Sequence, residues 1–318
     1  MTDVRIRDIS PRLTFQAQPA ATSDKVELVN RLIAAGVSAV EVSSFVRPDL
    51  VPGLADAAEV FAKVDRPPGI SLECCVGNGT GVKQAIDAGA HVAWFLLSVD
   101  AGFSAANSGR GIEDSLAVLE RLRSIAADSE LRLGTYLIGT WGGPTGLPRR
   151  PSELEPILSR LAGIGVTDWI LADSFGYAAP PQIRDIVTYA AGFTGYEHLT
   201  VQVHDSRGMG IANVAELARM GVRNIDTSLL GAGGHPAVPG AQVGGVCTED
   251  AVQLLELMDV DTGIDLVELI DTANWFADIS GHDRGFTHHV GAVPRVAGDP
   301  RPERGEFAWP TASNSQTS

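Results

Sequence analysis

"LTVQVHDSRGMGIANVAELARMGVRNIDTSLLG", residues 199–231, holds a complete unit of fold. Residues 199–206 form an apolar run in which Val201 and Val203 alternate with Gln202 and His204, the period of a strand. A glycine-containing turn follows. "IANVAELARMG" then has helical spacing and stops at Gly221. "NIDTSLLG" is strand-like again. Strand, turn, helix and strand in that order is the signature of parallel β/α structure.

The same unit recurs outward along the chain. Strand-like runs occupy residues 4–10, 39–45, 70–76, 91–99, 132–139 and 168–175, ahead of 199–206 and 224–231. Helical segments lie between them. "SDKVELVNRLIAAG" starts at an N-cap candidate, Ser23, and ends at Gly36; "GVKQAIDAGA" and "SELEPILSRLAGIG" stop at glycine in the same way. Eight such runs between residues 4 and 231 predict an α/β protein of the (β/α)8 TIM-barrel class. The competing architecture, a doubly wound open sheet, calls for a glycine-rich loop after its first strand. "SPRLTFQAQ" stands there and has no glycine. We expect one barrel over residues 1–297, including a C-terminal helical and loop extension, and a poorly ordered tail over 298–318.

The composition, 44% hydrophobic and 20% charged over 318 residues, is that of a globular chain. A net charge of −15 with no basic run argues against nucleic acid and against an anionic membrane surface. No apolar run has the length of a signal peptide core or a bilayer span. Of three cysteines, Cys74 and Cys75 are adjacent and poorly placed to pair, so a reduced, cytoplasmic protein is expected.

In a barrel of this kind chemistry sits at the C-terminal ends of the strands. Those positions hold Arg12, Glu41, Ser43, Asp100, Tyr136, Asp173, Ser174, His204, Asp205 and Arg207, and the loop after the eighth strand adds His235. Buried charges cost several kcal/mol unless paired, so a polar cluster on apolar strands points to a site. Each member also has a plainer use. Asp173 and Ser174 can cap the segment that follows, and Arg12 can be the counter-ion of Glu41. The three lysines, Lys25, Lys63 and Lys83, all fall in helical segments, which argues against a Schiff-base mechanism. No G-x-S-x-G elbow is present, which argues against a Ser-His-Asp hydrolase.

Several motifs in order resemble the 3-hydroxy-3-methylglutaryl-CoA lyase-like family of the DRE-TIM metallolyases. "GVSAVEVSSFVRPDLVPGLADAAEV" (36–60) resembles its second-strand region, and "SPR" with Gln16 its P-R-D-G-x-Q signature. "NSGRGIEDSL" (107–116), "ADSFG" (172–176), "HDSRGMGIAN" (204–213) and "GAGGHP" with the later "TED" resemble its further motifs, so the resemblance covers roughly residues 4 to 270. It implies carbon–carbon cleavage, or its reverse, through an enolate held by a first-strand arginine, with a divalent metal chelating the substrate. Arg12, Glu41, Asp173, Asp205 and Asn213 match the family pattern.

Three of the four implied metal-ligand positions depart from it. The first-strand Asp falls on Leu13, the first His of an H-x-H pair on Gln202, and an Asn at or near Gly245; His204 is the second His. The lid Cys falls on His235. Mg²⁺ wants octahedral oxygen ligands with at least one carboxylate, which Leu and Gly cannot supply. Three readings follow. In the first, no metal acts: Arg12 is the electrophile, and His204 and His235 are acid and base, with Asp173 and Glu41 in the catalytic set. In the second, Glu41, Asp173, His204 and His235 form a rebuilt site for Zn²⁺, Mn²⁺ or Fe²⁺. In the third, the chain is a non-catalytic binding or partner subunit.

The resemblance implies a small-molecule substrate, an acyl-CoA or a 2-oxo acid. Gln16, Ser43, Tyr136, Gln202, Asp205, Arg207 and Asn213 are the expected substrate contacts. Arg47, Arg110, Arg149 and Arg150 are the cations available for CoA phosphates, and "WGGPTGLPRRP" is a loop suited to gripping one. A homo-oligomer is compatible with this reading. "GHDRGFTHHVG" (281–291) is either a cover over the mouth or a partner-facing loop.

Overall fold

A computed structural model describes residues 3–143, 149–233 and 244–293, without the side chains of 106–108. Eight parallel strands close into a barrel in sequence order: β1 (Arg5–Asp8), β2 (Ala39–Phe45), β3 (Ser71–Val76), β4 (Val92–Ser98), β5 (Arg132–Ile138), β6 (Trp169–Ala172), β7 (Leu199–Gln202) and β8 (Asn224–Thr227). Each lies inside one of the eight runs read from sequence. β1 pairs with β8, Arg7 opposite Asp226, and closes the ring. The expected tail, 298–318, lies outside the described residues.

Alternation along the strands makes two cores. Ala93, Phe95, Leu97 and Leu137 point outward to the helices and join the large core with Leu28, Leu32, Leu119 and Ile186. Trp94, Tyr136, Ile138, Ile170 and Ala172 form a second, separate cluster. This follows from the two-residue period of a strand, which sends neighbours to opposite faces.

The glycines that stop the helices have a common geometry. After helix Thr22–Ala34, the Gly36 N–H donates to the Ile33 carbonyl and the Val37 N–H to the Leu32 carbonyl, both at 3.0 Å. This paired arrangement satisfies carbonyls the helix would leave bare. Gly36 has φ +95°, and a Cβ there would stand 2.5 Å from the Gly263 carbonyl oxygen, so only glycine fits. The same bond pattern recurs at Gly89, Gly165 and Gly221. At the other end of the first of these helices the cap is Ala21, not Ser23. Ser23 is already helical, because the turn starts at Thr22, whose hydroxyl donates to Asp56.

Lys25 and Lys63 stay on helices. Lys25 donates to Asp56 and to the Gly53 carbonyl, away from the barrel axis, and Lys63 pairs with Glu59 on its own helix. Among the described residues no helix is long and apolar enough to cross a membrane.

Candidate active site

The barrel interior carries a charged layer centred on Arg7 of β1. Its guanidinium donates to Glu41 of β2 at 2.5 Å, Glu73 of β3 at 2.6 Å, Asp226 of β8 at 2.6 Å and the Tyr136 hydroxyl of β5 at 2.9 Å. The Trp94 indole donates to Glu73. All six side chains are buried. Sequence reading missed Arg7, Glu73, Trp94 and Asp226. The available signal was a charged residue at an interior position of four strands, Arg7, Glu41, Glu73 and Asp226, one cation against three acids before Arg12 is counted.

Arg12 is tied to this layer from above. It lies not at the end of β1 but on the short helix Ser10–Phe15 that follows it. The strand stops at Asp8 because the Asp8 carboxylate turns the chain, accepting from the Ser10 N–H and hydroxyl. Asp8 also accepts from Leu229 N–H and Thr248, which fixes the helix against the chain after β8. Arg12 Nε donates to Glu41 Oε1 at 2.6 Å, Nη1 lies 3.4 Å from Gln16 Oε1, and Cζ stands 6.0 Å from the Tyr136 ring centroid. Arg12 thus points into the barrel and its side chain is only 8% exposed.

Glu41 and Tyr136 are also corrected in position. They sit within β2 and β5, below the rim, not at the strand ends. Both Glu41 oxygens are committed: to Arg12 and the Cys75 thiol on one side, to Arg7 and Tyr136 on the other. Burial pushes the Glu41 carboxyl up, but Arg12 and Arg7 outweigh it and hold it at about 2. Burial also opposes charge on Arg12, and Glu41 again prevails and keeps it protonated. Glu41 therefore acts as the anchor of a permanently cationic Arg12. Ser43 follows a β-bulge between Glu41 and Ser43, and its buried hydroxyl has no hydrogen-bond partner among the described residues.

The other rim residues divide between loop building and the mouth. Asp173 follows β6, and its two oxygens accept from Tyr177 N–H (2.8 Å) and Ala178 N–H (3.1 Å). Burial raises its carboxyl to about 6 against those bonds. Asp205 accepts from Gly210 N–H. Arg207 donates to the Phe175 and Gly176 carbonyls and lies over the Tyr177 ring, and Asn213 donates to the Ala178 carbonyl. Together they brace the β6 and β7 loops against each other. The Asn213 side-chain oxygen is buried without a hydrogen-bond partner among the described residues.

His204 continues β7 two residues past its end. There it forms an antiparallel bridge with Gly245, flanked by Asp205 N–H to the Gly244 carbonyl and Val246 N–H to the Val203 carbonyl. His204 and Gln202 are both buried. Leu13 is buried too, and a Cβ on Gly233 would meet its side chain at 2.4 Å, so the Leu packs directly beneath the start of the β8 loop. A Cβ on Gly245 would stand 3.0 Å from Ser228 Cβ. His235 lies outside the described residues.

These rim residues do not fit an octahedral magnesium site. Leu13 and Gly245 offer no ligand atom, and Gln202 offers only a neutral amide beside one imidazole. Of the alternative set, Glu41, Asp173 and His204 lie among the described residues and His235 does not. Glu41 and Asp173 have both oxygens committed, and among the described residues they do not converge with His204 as a ligand group.

The expected CoA cations are scattered. Arg47 is exposed and pairs with Asp49, and Arg149 approaches Asp100 at 3.9 Å. Trp141, expected in a gripping loop, is buried, with its indole donating to the Gln182 carbonyl; residues 144–148 lie outside the described residues. The segment after helix Leu266–Ser280 packs on the chain that follows β8. Asp250 accepts from the N–H groups of Phe286 and Thr287, and Arg284 abuts Gly244.

Comparison with known proteins agrees with this architecture. The HMGL-like family model matches residues 3–276. The chain is 30% identical over 280 residues to the hydroxymethylglutaryl-CoA lyase YngG of Bacillus subtilis, covering 87% of this chain and 93% of that protein. It is also 30% identical to the 3-hydroxy-3-isohexenylglutaryl-CoA/hydroxy-methylglutaryl-CoA lyase of Pseudomonas aeruginosa, covering 89% and 94%. Among solved structures, an HMG-CoA lyase from Acinetobacter baumannii in complex with coenzyme A and 3-methylmalate superposes with a TM-score of 0.86 at 29% identity, covering 95% of this chain and 98% of that one.

Proposed function

The chain belongs to the HMGL-like family and is a carbon–carbon lyase of HMG-CoA lyase-like type, and from that premise we propose that it cleaves a 3-hydroxyacyl-CoA through an enolate held by Arg12 without the family's divalent ion. The observation that carries this is the anchoring of Arg12 by Glu41 at 2.6 Å, beside rim positions whose metal-ligating side chains are replaced. A thioester is favoured over a 2-oxo acid because the A. baumannii neighbour binds coenzyme A.

In this scheme the substrate's 3-hydroxyl loses its proton to His204 or to a water it positions. The bond between C2 and C3 breaks, C3 keeps its oxygen as a ketone or aldehyde, and the electron pair passes to the thioester as an enolate. Arg12 holds the enolate oxygen through guanidinium N–H groups turned away from Glu41. Proton return to C2 completes an acetyl-type thioester. On sequence alone His235 is the donor. An imidazole titrates near neutrality and suits both transfers.

The test is a mass-spectrometric screen of the wild type, Arg12→Ala and His235→Ala against 3-hydroxyacyl-CoAs and hydroxy-2-oxo acids. Turnover of a thioester that collapses in Arg12→Ala supports the scheme. Turnover confined to oxo acids moves the substrate class, and turnover unchanged in His235→Ala removes the lid acid.

A further inference from the structure

We propose that Asp283, His288 and His289 form a second, peripheral metal site, with Zn²⁺ the divalent cation that their chemistry takes. One ligand atom from each lies within 4.8 Å of the others. Asp283 Oδ1 stands 3.2 Å from His288 Nε2 and 2.9 Å from His289 Nε2. Ligands at Zn–N and Zn–O distances of about 2.0–2.1 Å in a tetrahedron stand roughly 3.3 Å apart, so small shifts bring all three onto one ion. Two imidazoles and a carboxylate are a borderline nitrogen and oxygen set, suited to zinc over magnesium or calcium. Asp283 and His289 are exposed, which leaves an entry path and a fourth position for water.

The second observation is what holds His288 from behind. Its side chain is buried, and its Nδ1 stands 3.3 Å from Oε1 of Glu249, itself buried. That leaves Nε2, on the side of Asp283, as the ligand atom. With an ion at Nε2, an Nδ1–H toward Glu249 would complete the carboxylate–histidine–metal relay that orients ligating imidazoles.

The fold shows what the ion would fasten. Both histidines sit on the short helix Thr287–Val290, whose leading N–H groups rest on Asp250. Between them and Asp283 lies Arg284, against Gly244 where the chain rejoins the barrel beside His204. A loaded site clamps that return strand from outside, and it does not depend on the reaction proposed above.

The experiment uses the full-length, untagged protein, stripped with chelator and titrated with Co²⁺. We expect one equivalent to bind with the strong visible bands of a four-coordinate ion, and Zn²⁺ to displace it. Asp283→Asn with His289→Ala, both at exposed positions, should weaken binding at least ~100-fold, and Glu249→Gln about 10-fold. No visible spectrum with excess Co²⁺, or binding unchanged in the double variant, overturns the proposal and leaves an ion-paired cluster.

Discussion

The interior of the barrel and its rim treat charge in opposite ways. Inside, Arg7 satisfies three carboxylates and a phenol at 2.5–2.9 Å, and a second arginine shares one of those acids. At the rim, the positions that depart from the family pattern hold an apolar Leu13, a bare Gly245 bridged to His204, and an amide, Gln202. A buried charge layer is hard to dismantle piecemeal, since losing one member strands the rest. Leu13, Gln202 and Gly245 carry no charge and stand outside that layer, so they can change singly. The difference explains how the Arg12–Glu41 pair can stand beside positions that depart from the family pattern.

The largest effect should come from breaking the interior layer. Arg7→Leu leaves Glu41, Glu73 and Asp226 without their shared cation, and urea unfolding should show a loss of about 3–5 kcal/mol. A loss near zero would mean the layer is no more coupled than the rim.

Arg12→Ala separates anchor from function. On the proposed scheme it should lower kcat by ~100-fold or more, the size of the loss of one oxyanion donor. Its effect on unfolding should be smaller than that of Arg7→Leu, since Glu41 keeps Arg7. Equal activity in variant and wild type would remove the electrophile.

The layer should also show in the pH dependence of stability, with two opposed signs. Burial, aided by Glu41, raises Asp226 from 3.8 to about 6 despite Arg7. Between those values the unfolded chain has lost this proton and the folded chain has kept it. The Asp226 contribution therefore falls as pH rises from about 4 to about 6. Glu41, held at about 2 against 4.5, contributes in full above 4.5 and loses its contribution as pH falls toward 2. Asp226→Asn should flatten the decline between pH 4 and 6 in urea midpoints and leave the acid limb intact. An unchanged curve would place Asp226 among ordinary carboxylates. Asp173 shares the Asp226 sign, so part of the decline should remain.

At the small end, Arg207→Ala should cost about 1 kcal/mol, the size of a partly exposed stacking and carbonyl contact.

The two regions also differed in how legible they were. Strand periodicity placed all eight strands, because each pattern is local. The rim was legible because its departures are changes of residue type at motif positions. The Arg7 layer was not, since its members come from separate strands and meet only when the barrel closes. Arg12 looked like the end of a strand because nothing in "DISPRL" shows that Asp8 caps the turn with its own carboxylate. For Asp173 the plainer of the two readings offered by the sequence, capping the segment that follows, is visible in its oxygens, which accept from backbone N–H groups of the loop.

The central claim is catalysis without a metal at the barrel mouth. Its most direct test is kcat/KM of the Asp283→Asn/His289→Ala protein, which removes the proposed peripheral site, before and after exhaustive chelation and then with added Mg²⁺ or Mn²⁺. The account predicts the same value in all three conditions. Loss of activity on chelation and its return with either ion would contradict it.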